Sequence, residues 1–347
     1  MNVKNINIRK LVKKEVIALK AYSAKEIPCR IKLDANESPY GFSSAIKAAS
    51  EIKTNRYPDP EAKILRKLLA HELDVSAENI LQGNGSDELI YYLVTTFGGP
   101  VLFPVPTFSM YGIISRALGE TAIAIPLDEE FDLDTAKILA AIKKEKPKLI
   151  FLSSPNNPTG NCFSADRILK IIEASKGLVI VDEAYQPFAG DKGFLPLLAD
   201  YKNLVVMRTL SKIGLAALRL GFIVADAEII SEVNKVRLPF NVNSFSQAIA
   251  VSALRQKKQL RSSIRLIAAE RDLLYSAMEE IDGVRPFPSE ANFILFKVND
   301  PDQVYEGLLK KGILVRNIKD VVEGCLRVTV GTPPENRAFL AALRKTV

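Results

Sequence analysis

Three short apolar runs, 148–152, 178–181 and 204–207, each lead directly into a segment of polar, glycine or proline residues: 153–160, 182–185 and 208–221. Runs this uniformly apolar suit strands buried on both faces, as in a parallel sheet covered by helices. Strand and helix patterns alternate from Ile80 to Ala225, which predicts an α/β fold with a mostly parallel sheet. Ligands of such sheets bind outside the carboxyl ends of the strands, so the three polar segments are where chemistry is expected. Later strand patterns at 290–298 and 326–331, with helices around 266–281 and 334–345, read as a smaller α/β domain. The N-terminal arm is expected to pack onto it. A helix near 243–260 would link the two. The expected division is 1–45 for the arm and part of the small domain, 46–255 for the large domain and 256–347 for the small C-terminal domain.

In the segment 208–221, Lys212 follows two hydroxyls, Thr209 and Ser211, and precedes Arg219. Those three neighbours can bond a phosphate, while Lys212 supplies the amine that a carbonyl cofactor needs for a Schiff base. Pyridoxal 5'-phosphate carries both groups. Asp182, at the end of the 178–181 run, is placed to pair with the pyridinium N–H of such a ring. Tyr185, three residues on, and Asn157, in Ser-Ser-Pro-Asn-Asn-Pro-Thr-Gly, can both donate to its phenolate oxygen. Two prolines and a glycine restrict that turn. A fourth element, Gln82-Gly83-Asn84-Gly85-Ser86-Asp87-Glu88, precedes a helix pattern, 89–97, whose first N–H groups can cradle a phosphate. Its spacing matches neither a nucleotide-binding lysine loop nor a dinucleotide fingerprint.

From about Leu33 to the C-terminus, the chain resembles the fold-type I pyridoxal-phosphate aminotransferases, and within them is similar to the histidinol-phosphate aminotransferases. The closer match rests on Leu-Asp-Ala-Asn-Glu-Ser-Pro-Tyr-Gly (33–41), Asn-Arg-Tyr-Pro-Asp-Pro (55–60), Gly-Asn-Gly-Ser-Asp-Glu (83–88) and Leu-Arg-Val-Thr-Val-Gly (326–331). The resemblance implies a large domain built on a seven-stranded sheet, a smaller α/β domain and a homodimer with shared active sites. It implies that Lys212 holds the cofactor, with Asp182 as partner of the ring nitrogen and Asn157 and Tyr185 on the phenolate oxygen. The backbone at Ser86 and Asp87, with Thr209, Ser211 and Arg219, would grip the phosphate. Phe108 would stack on the ring, and Tyr57 would reach across from the partner subunit. Tyr22, Asn157, Arg316 and Arg327 would bind substrate. The implied reaction converts L-histidinol phosphate and 2-oxoglutarate to imidazole-acetol phosphate and L-glutamate, a step of histidine biosynthesis.

Two departures stand out. Phenylalanine at 108 replaces a frequent tyrosine, keeping stacking area but no hydroxyl. Lys212 and Arg219 are seven residues apart, one fewer than in many aminotransferases. An aromatic amino-acid aminotransferase and a threonine-phosphate decarboxylase are rival readings on the same fold. A cofactor-sensing transcription regulator would need a DNA-binding domain ahead of the fold, and none is expected here.

Net charge is +7, from 47 basic and 40 acidic residues, without a long basic block. The dense stretch at 143–146 therefore reads as a solvated helix end, and no nucleic-acid partner is expected. No apolar run approaches membrane-spanning length, and the charged opening does not resemble a signal peptide, so a cytoplasmic protein is expected. Cys29, Cys162 and Cys325 lack paired ligand spacing and read as free thiols. The one histidine, His71, cannot build a metal site or a serine triad alone, and no metal is expected.

Overall fold

Every side chain of the strand Leu149–Ser153 is buried, as coverage on both faces requires. The computed structural model describes residues 6–19 and 26–347. In chain order its strands are β1 (Ile31–Leu33), β2 (Ile80–Gly83), β3 (Val101–Val105), β4 (Ala122–Pro126), β5 (Leu149–Ser153), β6 (Leu178–Asp182), β7 (Leu204–Thr209), β8 (Gly221–Ala225), β9 (Arg285–Pro286), β10 (Phe293–Lys297), β11 (Ile313–Asn317) and β12 (Cys325–Thr329). Seven of them form one sheet in the order β2-β8-β7-β6-β5-β3-β4. All of its pairings are parallel except those of β8, which runs antiparallel to both β2 and β7.

Alternation along the strands sends side chains to two separate cores. Ile150, Leu152, Val179, Val181, Leu204 and Val206 meet the helix Ala165–Ala174 through Ile168, Ile171 and Ile172, which recur at helical spacing. On the other face, Phe151, Ile180, Val205 and Met207 pack with Leu89, Ile90, Leu93 and Val94 of the helix Ser86–Phe97. Full burial of one such side chain contributes roughly 1.5–3 kcal/mol. The carboxyl edges of β5, β6 and β7 are therefore held by packing on both sides.

The reversal at β8 bears directly on the lysine segment. Thr209 at the end of β7 pairs with Gly221 at the start of β8, and the Leu210 N–H donates to the Leu220 carbonyl at 2.9 Å. Residues 210–220 thus form a loop tied at its base between neighbouring antiparallel strands. Both Lys212 and Arg219 must lie at the carboxyl end of β7.

The second sheet has the order β1-β11-β12-β10-β9, with β1 parallel to β11 and the other pairs antiparallel. The helices Lys257–Glu279 and Pro333–Leu343 accompany it, the latter opened by a Thr332–Glu335 capping box. The single helix expected near 243–260 is two. Ser244–Leu254 starts at Asn243, whose side chain accepts from the Ser246 N–H, and Lys257–Glu279 follows after a break at Gln256. There the Gln256 backbone leaves helical geometry, with φ −85° and ψ 51°.

The arm divides where it was expected to pack on the small sheet throughout. β1 does join that sheet, because Ile31 and Leu33 alternate inward against β11. The short helix Lys14–Ile17 instead lies near the helix Met110–Ala117 beside the larger sheet. Tyr22 lies outside the described residues.

Candidate active site

The ends of β5, β6 and β7 bring Asn157, Asp182 and Lys212 to one edge of the larger sheet. Asp182 is 3% exposed. Its Oδ2 accepts from the Tyr111 hydroxyl at 2.6 Å, and its Oδ1 accepts from the Ala184 N–H at 3.0 Å. Burial lifts its carboxyl to about 6, against the opposing pull of those two donors and of the Lys212 charge. A carboxylate so placed gains from a cationic partner, which a protonated ring nitrogen would be.

Tyr111 has no exposed surface and stacks on Phe151, with ring centroids 4.8 Å apart. Phe108, half-buried, meets its ring edge-on at 5.6 Å. Sequence reasoning assigned Tyr111 no role. The available signal was its position three residues after Phe108 at the start of a helix, which brings the two rings together.

The Lys212 ammonium lies 5.6 Å from the centroid of the Tyr185 ring. Among the described residues, Lys212 has neither an ion pair nor a hydrogen bond. Tyr185 is buried, and its hydroxyl accepts from Asn36 Nδ2 at 2.9 Å. Asn157 sits in the turn after β5, and its Oδ1 accepts from Arg327 Nη1 at 2.5 Å. Arg327, on β12, also donates to the Asp34 carbonyl at 2.9 Å and lies over the Phe293 ring. Its partner across the strand pair is Arg316, which is exposed.

Asn156, next in the same turn, is fully buried. It donates to the Pro106 carbonyl at 3.0 Å and to Thr159 at 2.8 Å, and accepts from Thr107 at 2.8 Å. It therefore fixes the 106–108 loop, and Phe108 with it, to the Asn157 turn. Neither Asn156 nor Asn36 was assigned a role in the site from sequence. Both stand in motifs that were singled out, but the contacts that define their roles cross the chain.

Ser86 opens the helix Ser86–Phe97, and Gly85 before it has φ 85° and ψ 166°. A Cβ on Gly85 would come within 2.6 Å of Arg219 Nη2, and one on Gly221 within 2.9 Å of the Ser86 nitrogen. Backbone and guanidinium thus converge on a surface that only glycine leaves bare. The Ser86 Oγ is buried and has no hydrogen-bond partner among the described residues. Arg219 bridges to Asp87 at 3.0 Å, and its own left-handed backbone, φ 50°, turns it back over the loop. The shorter Lys212–Arg219 spacing thus leaves Arg219 within reach of the helix start. Thr209 Oγ1 donates to the Leu220 carbonyl at 3.1 Å and accepts from the Ser211 N–H, also at 3.1 Å. A phosphate at this helix start finds main-chain N–H groups, three hydroxyls and a guanidinium.

Gly85→Ala should therefore do two things. It places a Cβ in a backbone region that essentially only glycine occupies, destabilising the fold by about 1–3 kcal/mol. It also displaces Arg219, so affinity for a phosphorylated cofactor should fall. Thermal unfolding and a cofactor titration measure the two separately; a variant matching wild type in both would refute the cradle.

Tyr57 does not join this cluster within one chain. It is 81% exposed and stacks on Phe240, with centroids 4.6 Å apart.

A lysine with no hydrogen bond or ion pair among the described residues, a buried acid and a glycine-bounded helix start at the carboxyl edge of this sheet are the features of a fold-type I transferase. The chain belongs to the aminotransferase class I and II family, whose pattern matches residues 30–343. It is 44% identical to the histidinol-phosphate aminotransferase of Aquifex aeolicus over 350 residues, covering 97% of this chain and 98% of that protein. It is 43% identical to histidinol-phosphate aminotransferase 2 of Nitrosococcus oceani over 347 residues, covering 96% of each. Among solved structures, the histidinol-phosphate aminotransferase of Sinorhizobium meliloti, in complex with pyridoxal-5'-phosphate, superposes with a TM-score of 0.86 at 25% identity. That match covers 96% of this chain and 97% of the other.

Proposed function

We propose that the protein transfers the amino group of L-histidinol phosphate to 2-oxoglutarate, giving imidazole-acetol phosphate and L-glutamate, a step of histidine biosynthesis. The observation that carries this donor is the pair Arg316 and Arg327, directly opposed on β11 and β12. Like charges so placed repel, and a bridging anion removes that repulsion. Guanidinium forks bind phosphate and carboxylate with the same geometry. One site can then hold the phosphate of the first donor and a carboxylate of glutamate in turn. Relatives over 40% identical along nearly the whole chain bear the same activity in their names.

Pyridoxal 5'-phosphate, when bound, supplies a carbonyl that condenses with amines and a ring that withdraws electrons from the amino-bearing carbon. The residues present suit it. Lys212 would anchor it, Asp182 would hold its ring nitrogen protonated, and Asn157 and Tyr185 would bond its ring oxygen. Ser86, Asp87, Thr209, Ser211 and Arg219 would hold its phosphate, with Phe108 against its face. The Lys212 amine would also serve as the base that takes the proton from the donor's amino-bearing carbon. Arg327 positions the donor and, through Asn157 Oδ1, orients an amide within the same site.

The active unit is proposed to be a cytoplasmic homodimer. Support comes from Tyr57 and Phe240, an aromatic pair left on the surface, which a partner subunit would cover while receiving Tyr57 at its phosphate site. Three free cysteines agree with a reducing compartment.

The test is glutamate formation by the cofactor-loaded protein from 2-oxoglutarate, with histidinol phosphate or phenylalanine as donor. Histidinol phosphate should be preferred by kcat/KM about 100-fold or more, since its phosphate offers the paired guanidiniums more negative charge than the single carboxylate of phenylalanine. Preference for phenylalanine would move the reaction to an aromatic aminotransferase.

A further inference from the structure

Tyr185 has one hydroxyl proton, and its oxygen already accepts a hydrogen bond from Asn36 Nδ2 at 2.9 Å. Among the described residues no acceptor takes that proton. Asn36 itself is held at every polar atom. Its N–H donates to Thr329 Oγ1 at 2.9 Å, its carbonyl accepts from Asn292 Nδ2 at 3.1 Å, and its Oδ1 accepts from Thr329 Oγ1 at 3.3 Å. The carbonyl end of the amide is engaged by Thr329, and the NH2 end faces Tyr185. The residue is 1% exposed and has φ 55°, a conformation that asparagine tolerates better than most side chains.

We infer that Asn36 is a positioning residue: by donating to the Tyr185 oxygen, it directs the Tyr185 proton into the site, toward the ring oxygen of the cofactor. The inference rests on the pyridoxal-phosphate reading above. Thr329, which sets the polarity of the amide, stands two residues from Arg327 and so on the same face of β12. Both donors to the cofactor oxygen are then oriented from one strand: Asn157 through Arg327, and Tyr185 through Thr329 and Asn36.

Asn36→Gly tests this, because glycine accepts the positive φ without strain while removing the amide. The readout is the pH titration of the absorption of bound pyridoxal phosphate, which a purely structural role would not move. Without a directed donor the ring oxygen is a stronger base, and the apparent pKa of the absorption should rise by about half to one unit. In a Tyr185→Phe background, Asn36→Gly should produce no further shift. Asn36→Ser, read in the same two backgrounds, replaces Asn36→Gly should the latter fail to fold. An unshifted titration, or a shift that survives in Tyr185→Phe, would overturn the role of Asn36 alone. A wild-type protein that acquires no cofactor absorption would overturn the cofactor reading and this inference with it.

Discussion

Lys212→Ala is expected to lower kcat for amino transfer by at least about 10⁴-fold, the upper end of what a positioned acid–base group contributes. The loss should exceed that of any other single substitution in the site, because no other described side chain is placed to do both of its tasks. In the proposed reaction it would anchor the cofactor carbonyl and move the proton at the donor's reacting carbon. Free of ion pairs and hydrogen bonds among the described residues, the amine is not committed elsewhere. Arginine at the same position should not restore activity, since a guanidinium stays protonated and is a poor nucleophile. Stopped-flow absorbance and glutamate assays on the purified variant provide the check. Multiple turnover at even one-tenth of the wild-type rate would reassign the anchor.

Asp182→Asn is expected to separate activity from stability. Loss of the charge proposed to keep the ring nitrogen protonated should lower kcat by about 10²–10³-fold, the magnitude typical of removing one preorganised electrostatic partner. In the cofactor-free protein the same change should stabilise. Burial raises the folded-state carboxyl to about 6 from an ordinary value near 3.8, so folding favours its protonated form. That preference is fully present below about pH 4 and is lost as pH rises through about 6, leaving a buried charge without a full counter-ion. At pH 8 the carboxylate then destabilises the cofactor-free fold by about 3 kcal/mol, and a neutral amide of the same shape removes that penalty. Denaturant unfolding at pH 4 and pH 8 should show the two proteins alike at the lower pH and the variant more stable at the higher. Equal stability at pH 8 would mean that the carboxylate is not penalised by its surroundings. Such a trade is common where a functional group is held in an unfavourable environment.

Tyr111 explains why Asp182 remains usable despite its burial. Its hydroxyl holds one carboxylate oxygen while its ring braces Phe151 and Phe108, so Asp182 and Phe108 share one support. A sequence shows a tyrosine at the start of one helix and an aspartate at the end of a strand 71 residues later. Only the parallel order β3-β5-β6 brings them together.

Local pattern was enough for the elements whose signal is short-range. Apolar runs ending in polar segments announced β5, β6 and β7 and placed Asn157, Asp182, Tyr185 and Lys212 at their carboxyl ends. The break at Gln256 and the split path of the arm were not visible. The first depends on backbone geometry inside an otherwise continuous helical pattern, and the second on which surface a short helix finds.

The kinds of chemistry available here, an amine, an acid and hydroxyls around a helix start, were determined by sequence alone, because each depends on residue type and on distance along one strand or loop. Tertiary structure decided which of those groups act together. Asn36 reaches Tyr185, Arg327 reaches Asn157 and Arg219 folds over Gly85 through contacts between segments far apart in the chain. Directional hydrogen bonds and charge pairs operate within a few ångströms of space, and linear spacing carries no record of such approaches.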